Sequence, residues 1–219
     1  ETVQDVDIQP GYLHRAFEKM SERGTWSQVF PYTDRLNYVS PLLNNVGWAL
    51  TVEKLLGVTV PRKGQIVRVI LGELSRLSDH LTCLGAMAME LGAFTPFLWF
   101  LKAREWVWDC CEEQTGARMT HSYFRIGGAA APPTARFAPM IREALPRVLD
   151  VVREGEGLLL KNRIFLDRTQ GVGVLTREQA LAYGASGPVL RATGVDYDVR
   201  KDKPYLTYDE CDFDVPVGE

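Results

Sequence analysis

Apolar side chains recur every three or four positions through the middle of the chain, and helix punctuation bounds each run. Leu42, Leu43, Val46, Ala49, Leu50 and Leu56 follow Pro41 and stop at Gly57, which predicts a helix over 41–56. Proline suits a first turn, where its missing N–H is no loss, and glycine suits the left-handed residue past the last turn. Ile66, Ile70, Leu74, Leu77, Leu81, Leu84, Ala88 and Leu91 form the core stripe of a longer helix from about Gly64 to Leu91, stopped by Gly92. Thr95-Pro96, read as N-cap and first-turn proline, opens a third helix to about Gln114, with Gly116 just beyond. A fourth begins near Phe137 and reaches about Lys161. Pro146 inside it predicts a kink or break, because its ring removes a hydrogen bond and crowds the preceding turn. Thr176-x-x-Gln179 is a capping box for a short fifth helix ending at Gly184.

The connections are short, as antiparallel neighbours require. The pattern therefore predicts a mainly α fold, a central antiparallel helical bundle with its core at about 41–163. The first forty residues and the tail from Gly187 are richer in Gly, Pro, Asp and Tyr, and read as irregular flanks with a few short strands. No internal repeat, low-complexity tract or linker divides residues 1–219, which read as a single domain.

Composition narrows the class. The 219 residues are 46% hydrophobic and 24% charged, as in ordinary globular chains. Lys+Arg 25 against Asp+Glu 28 gives a net charge of −3, which counts against a phosphate-neutralising nucleic-acid surface. The longest apolar run, Phe94 to Leu101, ends at Lys102, Arg104 and Glu105, far short of a bilayer span. The opening Glu-Thr-Val-Gln-Asp-Val-Asp has neither part of a signal peptide. With no initiator Met and an abrupt end at Val217-Gly218-Glu219, the chain is expected to be a fragment of a longer subunit. Cys83, Cys110, Cys111 and Cys211 contain no C-x-x-C pair, so they read as reduced, partly buried thiols, and no metal or iron–sulfur cluster is expected on this chain.

Polar residues on the second helix carry the first candidate chemistry. Glu73, Arg76, His80, Cys83 and Met87 share a narrow strip beside the apolar stripe, while Arg68, Ser75, Asp79 and Thr82 are expected to face water. The strip reads either as an ion-pair network fixing helix register or as a polar lining for charge or proton movement. Glu90 continues it. The segment Pro31 to Ser40 enters the first helix and carries Tyr38, whose phenol can donate to a ligand carbonyl or merely anchor the loop. The run from Gly116 to Gly128 holds Arg118, Thr120, His121, Tyr123 and Arg125 on a loop closed by Gly-Gly, which reads as a ligand or redox-centre surround or as a packed loop. Gly171-Val-Gly173 lacks a third glycine and reads as a turn. No Ser-His-Asp arrangement, phosphate loop or zinc signature is present.

Several segments, in order along nearly the whole chain, together resemble one family. They include Gly11-Tyr-Leu-His14-Arg15, Asp34-Arg35-Leu36-Asn37-Tyr38-Val39-Ser40, Ala49-Leu-Thr-Val-Glu53-Lys54 and Arg68-Val-Ile-Leu-Gly-Glu73-Leu-Ser-Arg76-Leu-x-x-His80. Further on come Leu91-Gly-Ala-x-Thr95-Pro96, Tyr123-Phe-Arg125-Ile-Gly127-Gly128, Gly171-Val-Gly173 and Leu190-Arg191-Ala-x-Gly194-Val-x-Tyr197-Asp198-Val-Arg200. They resemble the D-type subunit of proton-pumping NADH:quinone oxidoreductase, respiratory complex I, a family similar to the large subunit of nickel–iron hydrogenases.

The resemblance implies a peripheral subunit of the bacterial plasma membrane's cytoplasmic face. Its partners would be the iron–sulfur B-type subunit, the C-type subunit and the membrane-arm H-type subunit. Quinone would be the substrate, with the cluster held by the B-type partner. The resemblance also implies that Tyr38 donates a hydrogen bond to a quinone carbonyl, stabilising charge on the reduced oxygen. Glu90 falls where many members have an aspartate that partners a second headgroup donor, a histidine absent from this chain. Arg35 and Arg125 are implied to lie near the partner's cluster, where a fixed cation raises the potential. Thr120 stands where many members have a histidine beside that cluster, and His121 follows one residue later; Asn37 replaces a common Asp. Hydrogenases have R-x-C-G-x-C where this chain has Arg35-Leu-Asn37-Tyr38-Val-Ser40. Asn and Ser cannot supply the thiolates that bind nickel and iron, so hydrogen chemistry is excluded at this site. The same subunit in a ferredoxin- or F420H2-fed quinone oxidoreductase, and a scaffold without chemistry, are the alternatives.

Overall fold

A computed structural model describes residues 2–218. Residues 2–11 have no regular structure, and short helical turns follow: α1 (Phe17–Ser21), a 3-10 turn at Trp26–Val29 and α2 (Phe30–Thr33). The long elements come next, α3 (Pro41–Leu56), α4 (Arg62–Glu90) and α5 (Phe94–Thr115). A two-residue hairpin, β1 (Phe124–Arg125) and β2 (Gly128–Ala129), pairs Phe124 with Ala129 and Arg125 with Gly128. Then α6 (Phe137–Leu159) is followed by α7 (Arg163–Thr169), α8 (Arg177–Ala182), α9 (Gly187–Arg191), α10 (Val199–Asp202) and a 3-10 turn at Tyr208–Glu210.

The bundle is α3 to α6. Helix α4 packs on α3 and α5, and α5 on α6, around Phe30, Leu42, Leu71, Leu81, Phe100 and Val107. The three residues between α4 and α5 make those two an antiparallel pair. Gly57 and Gly116 close α3 and α5 with left-handed backbones, as their positions after the apolar runs require. The thiols of Cys110 and Cys111 lie inside the bundle, where burial pushes them up to about 11 and about 12, so both stay protonated and inert.

Several local expectations need correction. Thr95-Pro96 is not the start of α5: the helix begins at Phe94, and Pro96 lies within the first turn, where its N–H would have had no partner anyway. Helix α6 runs unbroken through Pro146. Pro146 and Arg142, whose carbonyl loses its partner, are both exposed, so water can satisfy that oxygen. The flanks contain short helices rather than strands among the described residues; the only two strands lie in the loop after α5. Helix α7 went unpredicted although Asn162 caps it, accepting from Ile164 and Phe165 N–H at 2.9 and 3.3 Å. The capping box of Thr176 and Gln179 does open α8.

The buried face of α4 also differs from the predicted stripe. Leu74, Leu81 and Ala88 are buried, but Ile66, Ile70 and Leu84 are exposed, and Arg68 and Ser75, expected in water, are inside. Among the interior apolar residues Val67, Leu71, Leu74 and Leu81 stand small ones, Gly72, Ser75, Ser78, Gly85 and Ala88, at spacings of three and seven. Their smallness lets α3 and α5 approach closely: a Cβ on Gly72 would stand 3.3 Å from Leu43, and one on Gly85 3.4 Å from Phe97. Close approach and apolar burial together set the phase of this helix.

Candidate functional site

Helix α3 begins at Pro41, and the turn Asp34 to Ser40 delivers the chain into it. The carboxylate of Asp79, on α4, holds that turn. Asn37 donates its amide to Asp79 at 2.9 Å and the Ser40 hydroxyl donates to the same oxygen at 3.1 Å, while Asn37 also donates to Ser40 at 2.6 Å. Contrary to its expected place in water, Asp79 is half-buried and structural to the loop. An amide at Asn37 suits this contact because a carboxylate there would face Asp79 like to like. Between the two anchored residues Tyr38 projects outward, 59% exposed.

The start of the same turn is tied to the loop after α5. Asp34 is fully buried; the Ser122 hydroxyl donates to its Oδ2, and its Oδ1 has no partner. Burial raises its carboxyl, against the lowering effects of Ser122, Asn45 and Arg35. Arg35 lies 3.7 Å away but donates to the Pro31 carbonyl at 2.9 Å, and it remains exposed. Ser122 separates His121 from Tyr123, so residues 34–35 and 121–122 form one patch although 88 positions apart. His121 is 8% exposed with neither ring nitrogen paired among the described residues, and burial, against a raising effect of the Arg118 backbone, lowers it to about 4, which leaves it neutral at pH 7. Thr120 and Ser122 on either side adopt left-handed backbones, at φ 56° and 42°. Arg125, exposed, donates back to the Ser122 and Phe124 carbonyls at 2.6 and 2.8 Å.

This loop is held in turn by a buried ion pair. Arg68 donates to Glu53 at 2.8 and 2.6 Å and to the Arg125 and Gly128 carbonyls at 2.8 and 3.0 Å, and Glu53 accepts the Gly127 N–H at 2.7 Å. The pair thus nails the hairpin to α3 and α4. No sequence argument singled out Asp34, Glu53, Arg68 or Asp79 for these tasks. An Arg spaced into an otherwise apolar helix face was the one available signal.

The polar strip divides. Glu73 accepts from Arg76 at 3.2 Å, from Arg200 at 3.3 Å and from the Tyr208 hydroxyl, which ties the tail onto α4 and matches the register-fixing reading. Burial pushes the Tyr208 phenol well up. His80 lines a cleft of about 400 Å³ with Arg76, Arg191 and Arg200; burial, then the Arg76 charge, lowers its imidazole. Glu90 ends α4, exposed, eleven residues past Asp79 and so about 16 Å farther along the axis. The structure therefore ties the Tyr38 turn to Asp79 through Asn37 and Ser40, and the start of that turn to the loop of His121 through Asp34 and Ser122, while Glu90 lies farther along α4. Among the described residues no group of three His, Cys, Asp or Glu could hold a metal ion, and no helix is long and apolar enough to cross a membrane.

The comparisons with known proteins agree on a class. The family model described as respiratory-chain NADH dehydrogenase, 49 Kd subunit, matches residues 90–219. The D-type subunit (form 1) of NADH-quinone oxidoreductase from Sorangium cellulosum (strain So ce56) is 66% identical over 218 residues, covering 100% of this chain and 54% of the relative. The D-type subunit of the same oxidoreductase from Myxococcus xanthus (strain DK1622) is 51% identical over 219 residues, 100% of this chain and 53% of that protein. Form 2 from Rhizobium meliloti (strain 1021) is 49% identical, again over 100% of this chain and 54% of the relative. The chain spans about half the length of the curated relatives it matches. The helical fold and these matches define a subunit of a respiratory-chain oxidoreductase complex. Within that class the chain belongs to the family of the 49 kDa, D-type subunit of complex I, which is like the hydrogenase large subunit.

Proposed function

We propose that this chain walls the quinone headgroup pocket of a proton-translocating NADH:quinone oxidoreductase, with Tyr38 as headgroup donor. The observation that carries the reading is an exposed phenol on a loop whose two flanking residues are fixed to one carboxylate, Asp79. Donors pre-placed at developing charge are the arrangement that lowers a reduction barrier, because they need not reorganise as the charge arrives. Quinone takes up two electrons and two protons to become quinol. Tyr38 Oη–H stabilises the first negative charge on the carbonyl oxygen and can pass its proton to it, to be refilled from solvent or a neighbouring acid. Glu90 is such an acid on the same helix as Asp79, and its distance from Asp79 makes any link to Tyr38 one through water or through the substrate.

The electrons come from an iron–sulfur cluster of the B-type partner, facing the patch of Arg35, Thr120, His121 and Arg125. Arg35 supplies a fixed positive charge there, which favours the reduced cluster. His121, neutral and enclosed, contributes packing at pH 7 and no charge. The C-type subunit and the membrane-arm H-type subunit complete the surroundings, and the chain lies peripherally on the cytoplasmic face of the bacterial plasma membrane. The electron input module lies on other chains, so a ferredoxin- or F420H2-fed complex would use this surface identically.

Tyr38→Phe in the assembled complex tests the reading. Quinone reduction should fall at least tenfold while NADH still reduces the cluster, as seen by its paramagnetic resonance. Unchanged turnover would overturn it.

A further inference from the structure

A different region of the molecule has the chemistry of a binding site that the quinone reading does not use. The cleft between α4 and residues 186–200 is lined by Arg76, His80, Ser186, Arg191, Tyr197 and Arg200. Its walls carry three guanidiniums against two carboxylates, Glu73 and Asp198. Arg200 is fully engaged, donating to Asp198 through Nε and Nη2 at 3.0 and 2.8 Å and to Glu73 through Nη1 at 3.3 Å. Those contacts hold the Asp198 carboxyl down at about 2.

Arg191 is not so provided for. Among the described residues its Nη1 makes only long contacts, 3.3 Å to the Tyr197 carbonyl and 3.4 Å to Asp198, and its Nε is buried with no partner. The side chain is 12% exposed, so water does little to compensate. The enclosed Nε–H lies out of reach of anything in the cleft, but the cation as a whole is under-paired among the described residues, with its one carboxylate at 3.4 Å, and an anion entering the cleft would complete it at the guanidinium's outer nitrogens. Arg76 faces Arg191 from the α4 side, and His80 stands one turn along from Arg76. Asp79, the carboxylate nearest in sequence to His80, is committed to Asn37 and Ser40.

We propose that this cleft binds a phosphate-bearing ligand, with Arg191 and Arg76 gripping the oxyanion from its two walls and His80 donating at its edge. Donors arriving from two walls suit a tetrahedral group, which offers oxygens to both, better than a planar carboxylate, which presents its pair to one. The volume, about 400 Å³, exceeds what a bare phosphate fills and leaves room for the organic part beside Pro188 and Val199. A soluble phosphate ester and a phospholipid headgroup carry the same group.

Titration calorimetry of the full chain with inorganic phosphate tests the site, and co-sedimentation with vesicles separates the sources. Wild type should bind one phosphate saturably, and Arg191→Gln should weaken that at least tenfold. Arg76→Gln, at a half-exposed position less tied to folding, should do the same and carries the test if Arg191→Gln fails to fold. Arg191→Lys, which keeps the charge but loses the planar fork, should recover only part of the affinity. Sedimentation with phosphatidylglycerol but not phosphatidylcholine vesicles, lost in Arg76→Gln, assigns the headgroup; phosphate binding without it assigns a soluble ester. No saturable phosphate binding by wild type, or binding that both glutamine variants leave intact, overturns the proposal.

Discussion

Arg68 and Glu53 meet inside the bundle with both side chains buried, joined by two hydrogen bonds of 2.8 and 2.6 Å. The guanidinium is engaged on its other side as well: Nε and Nη2 reach the hairpin carbonyls, and the Phe124 ring lies 5.8 Å from its centre. Removing one partner strands the other charge in a low-dielectric interior. Glu53→Ala or Arg68→Ala should therefore cost about 3–5 kcal/mol in denaturant unfolding. Glu53→Leu with Arg68→Met should cost less than the sum of the single changes, because no charge is then left alone. Additive losses would mean that the two groups are not energetically coupled.

Gly155 marks the closest approach of α6 to α5. A Cβ there would lie 2.5 and 2.7 Å from two atoms of the Phe100 ring, which is itself buried in the core. In an exposed helix, Gly to Ala gains up to about 1 kcal/mol. Here overpacking should reverse the sign, so that Gly155→Ala destabilises by about 1–3 kcal/mol. Adding Phe100→Leu should recover part of the loss, and a thermal melt of the two variants reads both effects.

The long helices were legible because their boundaries are written in residues with fixed backbone demands: Pro41 at a first turn, Gly57 and Gly116 in left-handed caps, Thr176 and Gln179 in a capping box. Face assignment on α4 was less legible. Ile66, Ile70 and Leu84 had the right spacing, yet the interior is lined by Gly72, Ser75, Ser78 and Gly85, and a purely apolar count cannot see that smallness decides contact. Tyr38 was legible only as a phenol on the loop entering α3, either a ligand donor or a loop anchor, and Arg35 and His121 were associated only through the family resemblance. The long-range pairs Asp34–Ser122, Asn37–Asp79 and Glu53–Arg68 were not, since each joins positions that no periodicity relates. The flanks were misjudged for a similar reason. Their Gly, Pro and Asp residues start and stop four- and five-residue helices as readily as they end strands.

His121 gives the chain a directional pH dependence. Burial holds its imidazole at about 4, against the ordinary 6.5, so between these values the unfolded chain binds a proton that the folded chain refuses. Stability is then complete above about pH 6.5 and declines as pH falls toward 4, by about 3 kcal/mol in all. His121→Phe should flatten that slope in denaturant unfolding measured from pH 7 to pH 4. Asp34, whose carboxyl burial raises, acts in the opposite sense and favours the fold as pH falls. His80 and Asp198, both held below their ordinary values, act in the same sense as His121, so the Phe variant should weaken the slope without abolishing it. An unchanged slope would place the titrating group elsewhere.

Asp79 holds the turn that carries Tyr38, and kinetics can distinguish a positioning role for it in the proposed quinone site from a purely structural one. Its carboxylate takes hydrogen bonds from Asn37 and Ser40, the residues on either side of the Tyr38-Val39 pair. Asn37 is exposed but Ser40 is buried, so water can replace the lost acceptor only at Asn37, and Asp79→Ala should cost about 1–2 kcal/mol of stability. The loop should nevertheless lose its single geometry. If Tyr38 must meet the headgroup with its O–H already aimed, the assembled complex with Asp79→Ala should reduce quinone about tenfold more slowly, equivalent to ~1.4 kcal/mol in the barrier. Asp79→Asn keeps an acceptor oxygen at the same place and should restore much of that rate. Combining Asp79→Ala with Tyr38→Phe should slow the complex little beyond Tyr38→Phe alone, since an unplaced phenol and a missing one fail in the same step. Multiplicative losses would show that Asp79 acts on turnover by a route independent of Tyr38.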